Sequence, residues 1–308
     1  LDVGSVSEPA VIEETVIEET VIEERGYVLY VPGIRILPAL LDFGAQERAE
    51  DTFPEQLREV FASEGFLPAW FSYRPSGGYG GGEAEYSRAE TRQHLSISAE
   101  ALNEQVQGLV DEWQRERSTD AQPQIVIVAH SLGGAVAARW ASGAETDLLA
   151  SIRTVFTFDS PLAGIGEVRE FFSSNAGGDL DDPNELARID HGTSRLDFAQ
   201  VGNTEDWHVH LEESFTPHRW MPLEVTCAGL SDLGDHFCSM EEPDSLDFVE
   251  TALEDSPPLW SGSRARPPKL APAPPLSSRL SATAGDLVWR YETGGEVYSS
   301  PAVVGGVV

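Results

Sequence analysis

The chain has 308 residues and is strongly acidic, with 52 aspartates and glutamates against 20 lysines and arginines and a formal net charge of −32. Such a surface repels nucleic acids and anionic membranes, which excludes both as electrostatic partners. No apolar run reaches the roughly 18 residues that a membrane-spanning helix needs, so we expect no transmembrane segment. The acidic excess is also typical of proteins from salt-loving organisms, in which dissolved ions screen the repulsion.

The first 25 residues predict an acidic leader with little fixed structure. The motif Val-Ile-Glu-Glu-Thr repeats in tandem from residue 11, and its five-residue period matches neither a helix nor a strand. Leu1 is not a methionine, and no apolar segment typical of a secretory signal follows it. The natural N-terminus and the compartment therefore both stay open.

Residues 26–254 alternate between apolar runs typical of strands and amphipathic runs typical of helices. The predicted strands are residues 27–31, 69–73, 125–128, 152–158, 196–201 and 223–227. The predicted helices are residues 52–63, 98–117 and 246–253, with an Ala-rich helix directly after the third strand. This alternation predicts an α/β domain with a mostly parallel sheet and helices on both faces.

Two polar segments interrupt this alternation. Residues 74–82 form a Gly-rich loop that lacks the Gly-Lys-Ser/Thr ending of a phosphate-binding loop. Residues 173–194 are rich in Asp, Gly and Asn, which predicts a surface excursion or part of a lid.

The composition changes after the α/β domain. Residues 255–280 are rich in proline and predict an extended linker. Residues 281–308 contain Trp-Arg-Tyr-Glu-Thr-Gly and Ser-Ser-Pro-Ala-Val, and they resemble the opening of a blade in the pyrroloquinoline-quinone-type β-propeller repeats. One partial blade cannot bury its own faces or form a central site, so no cofactor is predicted and the partner of a propeller stays open.

The sequence at residues 129–134 is Ala-His-Ser-Leu-Gly-Gly, between the buried strand at 125–128 and the Ala-rich helix. This is the strand–turn–helix context of the nucleophile elbow Gly-x-Ser-x-Gly, with Ala129 at the first position. The strained turn needs small neighbours around Ser131, and Gly133 supplies the space on the helix side. His130 is expected to brace the turn. The alternative is that Ser131 only caps the helix.

With this motif, residues 26–254 resemble the α/β-hydrolase superfamily, and within it the small bacterial lipases that have an Ala-His-Ser-x-Gly elbow. The resemblance implies a triad in the chain order serine, acid, histidine, and no cofactor. Ser131 is then the nucleophile, and His236, beyond the last strand, is the base. The implied acid is Asp206, which ends a predicted strand and precedes Trp-His-Val, or alternatively Asp159, which ends the preceding strand.

Other histidines are alternatives to His236 as the base. His218 precedes the last strand, and His208 and His210 follow the acid closely. The spacing Asp206-x-His208-x-His210 also fits metal ligands on one face of a strand, but no further Cys/His/Asp pattern accompanies it and no metal site is predicted. The two remaining histidines are expected at the surface: His94 and His191.

The two cysteines, Cys227 and Cys238, bracket His236 and are close enough in sequence to close a small loop. A disulfide suits an oxidising compartment, whereas two free thiols suit a reducing one. The state of this pair therefore stays open.

These residues predict acyl transfer through a covalent enzyme intermediate. His236 takes the Ser131 proton as the serine attacks a carbonyl carbon, and Asp206 orients the imidazole. The oxyanion is expected to bind the backbone N–H groups of Leu132 and of Ile34, in a turn where the family usually has His-Gly and this chain has Pro-Gly.

The sequence thus predicts a serine hydrolase of carboxylic esters, either a lipase or an esterase, with an ester or lipid substrate. A preference for lipids depends on apolar residues near the mouth of the site, which fit a core position equally well. These residues are Phe66, Leu67, Trp70, Phe71, Leu162 and Ile165. The same triad also serves acyl transfer and thioester hydrolysis. The alternative from another class is a binding or scaffold protein with a degenerate hydrolase domain, which a missing triad member would favour.

Overall fold

The computed structural model describes residues 24–34, 47–48, 52–74, 85–86, 89–165, 174–204, 206, 209, 211–217, 221–227 and 235–255, all within one compact unit. The predicted leader up to residue 23, most of the Gly-rich loop, the linker after residue 255 and the propeller-like repeat lie outside the described residues. In the part that is described, no helix is both long enough and apolar enough to cross a membrane.

Strands and helices alternate along the described chain. The strands are β1 (Gly26–Val31), β2 (Glu47–Arg48), β3 (Phe66–Trp70), β4 (Glu85–Tyr86), β5 (Gln124–His130), β6 (Ile152–Phe158), β7 (Phe198–Asn203) and β8 (Met221–Val225). The helices are α1 (Glu55–Ser63), α2 (Leu95–Arg117), α3 (Leu132–Gly143), α4 (Thr146–Leu149), α5 (Asn175–Asp179), α6 (Pro183–Arg195), α7 (Leu211–Ser214), α8 (Asp235–Cys238) and α9 (Pro243–Asp255), with a 3₁₀ turn at Glu90–Arg92.

Six strands form one sheet in the order β3-β1-β5-β6-β7-β8, and every neighbouring pair is parallel. The middle strands β1, β5 and β6 are buried along almost their whole length, as continuous apolar runs predict. Their carboxyl ends meet at one edge, where Val31 pairs with Ala129, and His130 pairs with Phe158. Sites of open α/β sheets usually lie in the loops beyond this edge. The short strands β2 and β4 form a separate antiparallel pair.

The helices cover both faces of the sheet. The connection through α1 runs from β1 outward to β3, whereas those through α2, α3 and α6 run in the opposite direction across the sheet. Because crossovers between parallel strands are right-handed, this reversal puts α1 on the face opposite to the other three. The contacts agree, since α1 packs with α9 while α2 and α6 both pack with α3. The predicted parallel sheet with helices on both faces is confirmed.

The second predicted strand, at residues 69–73, is wrong in position, because β3 begins earlier, at Phe66, and includes Pro68. A proline has no N–H to donate and is excluded from central strands. Within the described part of the chain, β3 lies at the sheet edge and pairs only with β1, so the missing donor leaves no gap in the ladder.

The polar segment at 173–194 is also different from its prediction, because it holds the ordered helices α5 and α6. Helix α6 packs closely on α3, and a Cβ added to Gly192 would lie 1.7 Å from the Ala138 carbonyl oxygen. Only a narrow face of α6 is buried, including Ile189, so its overall composition stays polar. Strand β6 lies at its predicted residues, whereas β7 begins two residues later and β8 two residues earlier than predicted. His236 lies in the short helix α8 rather than in a loop.

Candidate active site

Ser131 lies in the turn between β5 and α3, with its backbone at φ 52° and ψ −128°. An L-residue is rarely found at positive φ, and holding one there costs about 1–3 kcal/mol. The side chain is buried and does not cap α3, and its Oγ has no hydrogen-bond partner among the described residues. The capping alternative is therefore wrong. The backbone N–H of Ser131 donates to the Phe158 carbonyl at 2.9 Å, and this bond joins the turn to the end of β6.

Small residues around Ser131 are required by the packing. A Cβ on Gly133 would lie 2.1 Å from the carbonyl oxygen of Val31, at the end of β1. A Cβ on Gly134 would lie 2.2 Å from the Ser160 Oγ. Since a backbone atom cannot move aside as a flexible side chain can, Gly133 has the stricter requirement.

Asp206 and His236 form a buried pair beyond the carboxyl ends of the strands. The His236 Nδ1–H donates to Asp206 Oδ2 at 2.6 Å, and the two side chains are 1% and 0% exposed. Hydrogen bonds of an imidazole to a carboxylate are charge-assisted and fix both the tautomer and the ring orientation. With Nδ1 protonated, Nε2 is the nitrogen that can accept a proton.

His130 connects the elbow to the histidine helix. Its Nε2–H donates to the backbone carbonyl of His236 at 2.8 Å, and the two rings lie 4.6 Å apart between centroids. Burial, followed by the neighbouring His236, lowers the pKa of His130 from 6.5 to about 3, so this imidazole is neutral. The sequence predicts a brace for the turn, and the structure shows that the braced group is the backbone of His236.

Asp159 follows β6 at φ 44° and is completely buried. Its Oδ1 accepts a hydrogen bond from the Asn203 backbone N–H at 2.7 Å, and its Oδ2 is hydrogen-bonded to the Ser239 hydroxyl. Burial raises the pKa of Asp159 well above its ordinary value, and the nearby Asp206 raises it further. The structure thus brings both candidate acids to the site but gives the imidazole hydrogen bond to Asp206.

The 32–34 turn lies against Ser131. A Cβ on Gly33 would be 2.5 Å from Ser131 Cβ, so only the bare backbone fits there. The Tyr73 hydroxyl donates to the Pro32 carbonyl at 2.6 Å and anchors this turn. Ile34 is partly buried in the same turn. Leu132 is the first residue of α3, where a backbone N–H has no acceptor within the helix.

Cys227 and Cys238 form a disulfide with a Cα–Cα separation of 6.2 Å, within the usual range for such a bond. It joins the residues after β8 to α8, the helix that carries His236. The Cys227 N–H also donates to the Asn203 side-chain oxygen at 3.3 Å. The histidine helix is therefore tied to β8 by a covalent bond.

The other candidate residues either lie away from this site or are not among the described residues. His208, His210 and His218 are outside the described residues. His94 is exposed and contacts Asp179, and His191 is also exposed, as predicted for surface positions. The apolar residues considered for the mouth of the site are part of the buried core, except for Leu67, which is partly buried against it: Phe66, Leu67, Trp70, Phe71, Leu162 and Ile165.

Three side chains are close enough to share an ion, since one polar atom each of His130, Asp159 and His236 lie within 4.8 Å of one another. The hydrogen bonds given above use both Asp159 oxygens and one nitrogen of each histidine. These bonds account for the cluster, and we infer no metal site from it.

Sequence reasoning did not find three residues that support the site. Tyr73 holds the 32–34 turn, Asn203 holds Cys227, and Ser239 holds Asp159. Each of these hydrogen bonds joins residues 24 to 80 positions apart in the chain. No local pattern marks a contact of this kind. The one available signal was the position of Asn203, two residues after the predicted strand at 196–201 and three residues before the Asp206 candidate.

No protein-family model matches the chain, and no curated protein matches it. Several solved structures are similar. The lipase BlEst2 from Bacillus licheniformis is 9% identical, with a TM-score of 0.48, over 74% of this chain and 92% of its own. The monoacylglycerol lipase of Paleococcus ferrophilus is 14% identical, with a TM-score of 0.45, over 75% and 93%. The acylaminoacyl peptidase of Pyrococcus horikoshii is 11% identical, with a TM-score of 0.49, over 80% and 39%. Similarities of this size assign no activity to this chain.

Proposed function

We propose that this protein is a serine hydrolase that cleaves carboxylic esters through an acyl-enzyme. The observation that carries the proposal is the buried hydrogen bond between Asp206 and His236, beside the strained turn that holds Ser131. The link between the two is the His130 side chain, which neighbours Ser131 in sequence and donates to the His236 carbonyl. The elbow that carries Ser131 is thus connected to His236 by the His130 hydrogen bond, and Asp206 holds the His236 ring.

The chemistry follows from the tautomer. The Asp206 carboxylate keeps the proton of His236 on Nδ1, so Nε2 takes the hydroxyl proton as Ser131 Oγ bonds to the ester carbonyl carbon. The carbonyl oxygen becomes an oxyanion and is stabilised by backbone N–H donors at Leu132 and Ile34. The imidazolium then protonates the leaving alkoxide, which departs as an alcohol. Water attacks the acyl-enzyme by the same route and releases the carboxylic acid.

The energetic cost of the arrangement favours a catalytic role over a binding role. Positive φ at Ser131 costs about 1–3 kcal/mol, and a binding scaffold gains nothing from that strain. Burial of a carboxylate and an imidazole in one pair also brings little net stability, because desolvation offsets most of their attraction. Both features give a clear advantage only when Ser131 has to lose a proton.

A fluorophosphonate probe tests the proposal, because it reacts only with an activated serine. We expect the wild type to be labelled and Ser131→Ala to be unlabelled, while Ser142→Ala on the same helix α3 is labelled like the wild type. Asp206→Asn should reduce the labelling rate by about 10⁴-fold, since the imidazole loses its correct tautomer. The measurements are made in low and in molar salt, because the chain is so acidic.

The outcomes separate the alternatives. Wild type that is unlabelled in every salt concentration would overturn the proposal and favour a binding or scaffold protein. Labelling that persists in Ser131→Ala would place the nucleophile elsewhere. If Ser131 is confirmed, p-nitrophenyl esters of increasing acyl length, together with matched thioesters, define the substrate. Faster cleavage of thioesters than of esters would contradict the ester assignment while keeping the triad.

A further inference from the structure

Asp159 is a buried carboxyl group beside the histidine that the proposed mechanism does not use. It follows β6, and its two oxygens reach two other elements. Oδ1 accepts from the backbone N–H of Asn203, the last residue of β7, at 2.7 Å. Oδ2 is hydrogen-bonded to Ser239, which directly follows α8 and lies three residues beyond His236. The carboxyl group therefore connects both strands to the segment that carries the base.

The surroundings of Asp159 do not favour a negative charge. The ionisable groups that face it are Asp206 from beyond β7, His236 from α8 and His130 from the elbow. His130 is neutral, since burial lowers its pKa to about 3. Burial and the Asp206 charge raise the pKa of Asp159, against smaller opposing effects of Ser239 and Asn203. Among the residues that the structure describes, none of the groups that act on Asp159 is a permanent cation.

We infer that Asp159 is held as a neutral carboxylic acid that positions the His236 helix without serving as the triad acid. In this form the Oδ2–H donates to Ser239 Oγ, the reverse of the bond that an ionised carboxylate would accept there, and Oδ1 still accepts from the Asn203 N–H. The role in catalysis rests on the proposed hydrolase function. The protonation state does not, because it depends only on burial and on the contacts of Asp159.

A neutral group at this place also suits the proton transfers. During acylation the imidazole becomes an imidazolium whose charge is balanced by Asp206. A second carboxylate within 4.8 Å would stabilise that cation further and hinder its donation of the proton to the leaving group. One charged and one neutral carboxyl allow His236 to act first as a base and then as an acid.

Asparagine is the matched substitution. In Asp159→Asn the side-chain oxygen can still accept from Asn203, and the amide nitrogen can still donate to Ser239, so both bonds of the neutral acid are retained. Asp159→Leu has a similar size and removes both bonds. Asp206→Asn is the control that removes the triad acid.

Infrared difference spectroscopy reads the protonation state directly. We expect the spectrum of the wild type minus that of Asp159→Asn at pH 7 to contain the carbonyl stretch of one protonated carboxylic acid. Other carboxyl groups cancel, because only Asp159 differs. Absence of this band would overturn the inference. The measurement needs no activity, so an enzyme without esterase activity would refute the proposed function and leave this test valid.

Steady-state kinetics of the variants tests whether Asp159 positions the His236 helix. We expect Asp159→Asn to keep kcat/KM within about threefold of the wild type, since both hydrogen bonds remain, with the acid limb of the pH profile in place. Asp159→Leu should lower kcat with little change in KM, and the Asn variant should restore it. A loss in Asp159→Asn comparable with that of Asp206→Asn, about 10⁴-fold, would show that Asp159 is ionised and acts as the triad acid. Wild-type kcat in Asp159→Leu would also overturn the inference.

Discussion

The acid sensitivity of the fold should depend on His130, and His130→Gln isolates its contribution. Burial, followed by the neighbouring His236, lowers the pKa of His130 from 6.5 to about 3 in the folded protein. The unfolded chain therefore binds a proton below pH 6.5 that the folded state excludes. The stability contributed by the neutral imidazole is complete above pH 6.5 and is lost as the pH falls towards 3.

The size of this effect follows from linkage. Each pH unit between the two pKa values lowers the free energy of unfolding by about 1.4 kcal/mol, and the loss between pH 7 and pH 5 is about 2 kcal/mol. Glutamine does not titrate, and its side-chain nitrogen can replace Nε2 as the donor to the His236 carbonyl, which the imidazole reaches at 2.8 Å. The variant therefore removes the titration and keeps the bond.

Urea unfolding of both proteins at pH 5, 6 and 7, followed by tryptophan fluorescence, measures the difference. The other acidic groups titrate in both proteins and cancel when the two free energies are subtracted. We expect the stability of His130→Gln relative to the wild type to rise by about 2 kcal/mol from pH 7 to pH 5. Parallel curves for the two proteins would mean that the folded state accepts the proton on His130 in spite of its burial, which would contradict the lowered pKa.

Three further predictions concern the structural supports of the site. Reduction of the Cys227–Cys238 bond, which spans 11 residues, should lower the free energy of unfolding by about 3 kcal/mol and reduce the proposed esterase activity, whereas reductant should not affect a Cys→Ser double variant. Gly133→Ala should destabilise the protein by about 1–3 kcal/mol because its Cβ meets the carbonyl oxygen at the end of β1, whereas Gly143→Ala at the end of the same helix has open space and should not; equal melting temperatures would contradict this. Tyr73→Phe removes the hydrogen bond to the Pro32 carbonyl and leaves this buried group unpaired, which costs about 1–3 kcal/mol in the 32–34 turn and should lower kcat. An unchanged kcat would show that this turn does not take part in oxyanion binding.

The parts of the fold that were predictable from sequence depend on local patterns. A continuous apolar run before a small-residue turn specified β5 and the elbow, because burial on both faces leaves no polar positions in the strand. The prediction from local patterns failed for α6, because only a few of its residues are buried against α3 and the rest of the helix is polar. The prediction also failed at β3. A strand that contains Pro68 is acceptable only at the edge of a sheet, and no local segment of the sequence shows which strand is at the edge.

The supports of the site were not predictable, because they connect positions far apart in the chain. Tyr73 holds a carbonyl 41 residues away, and Ser239 holds a carboxyl 80 residues away. The sequence around a tyrosine, serine or asparagine does not show whether its side chain lies at the surface or in such a bond. The partners are determined only when the fold brings the ends of the strands together.

The two candidate acids show how such partners decide a chemical role. Asp159 and Asp206 both follow strands whose carboxyl ends lie at the same edge of the sheet, so position alone does not distinguish them. Asp206 accepts from an imidazole that becomes positive during the proposed reaction, and this compensates its charge. Asp159 meets a hydroxyl and a backbone N–H, which remain neutral. Since an uncompensated buried carboxylate is costly, we expect the charge on Asp206. The partner of each acid, rather than its place after a strand, then determines which one serves the proposed base.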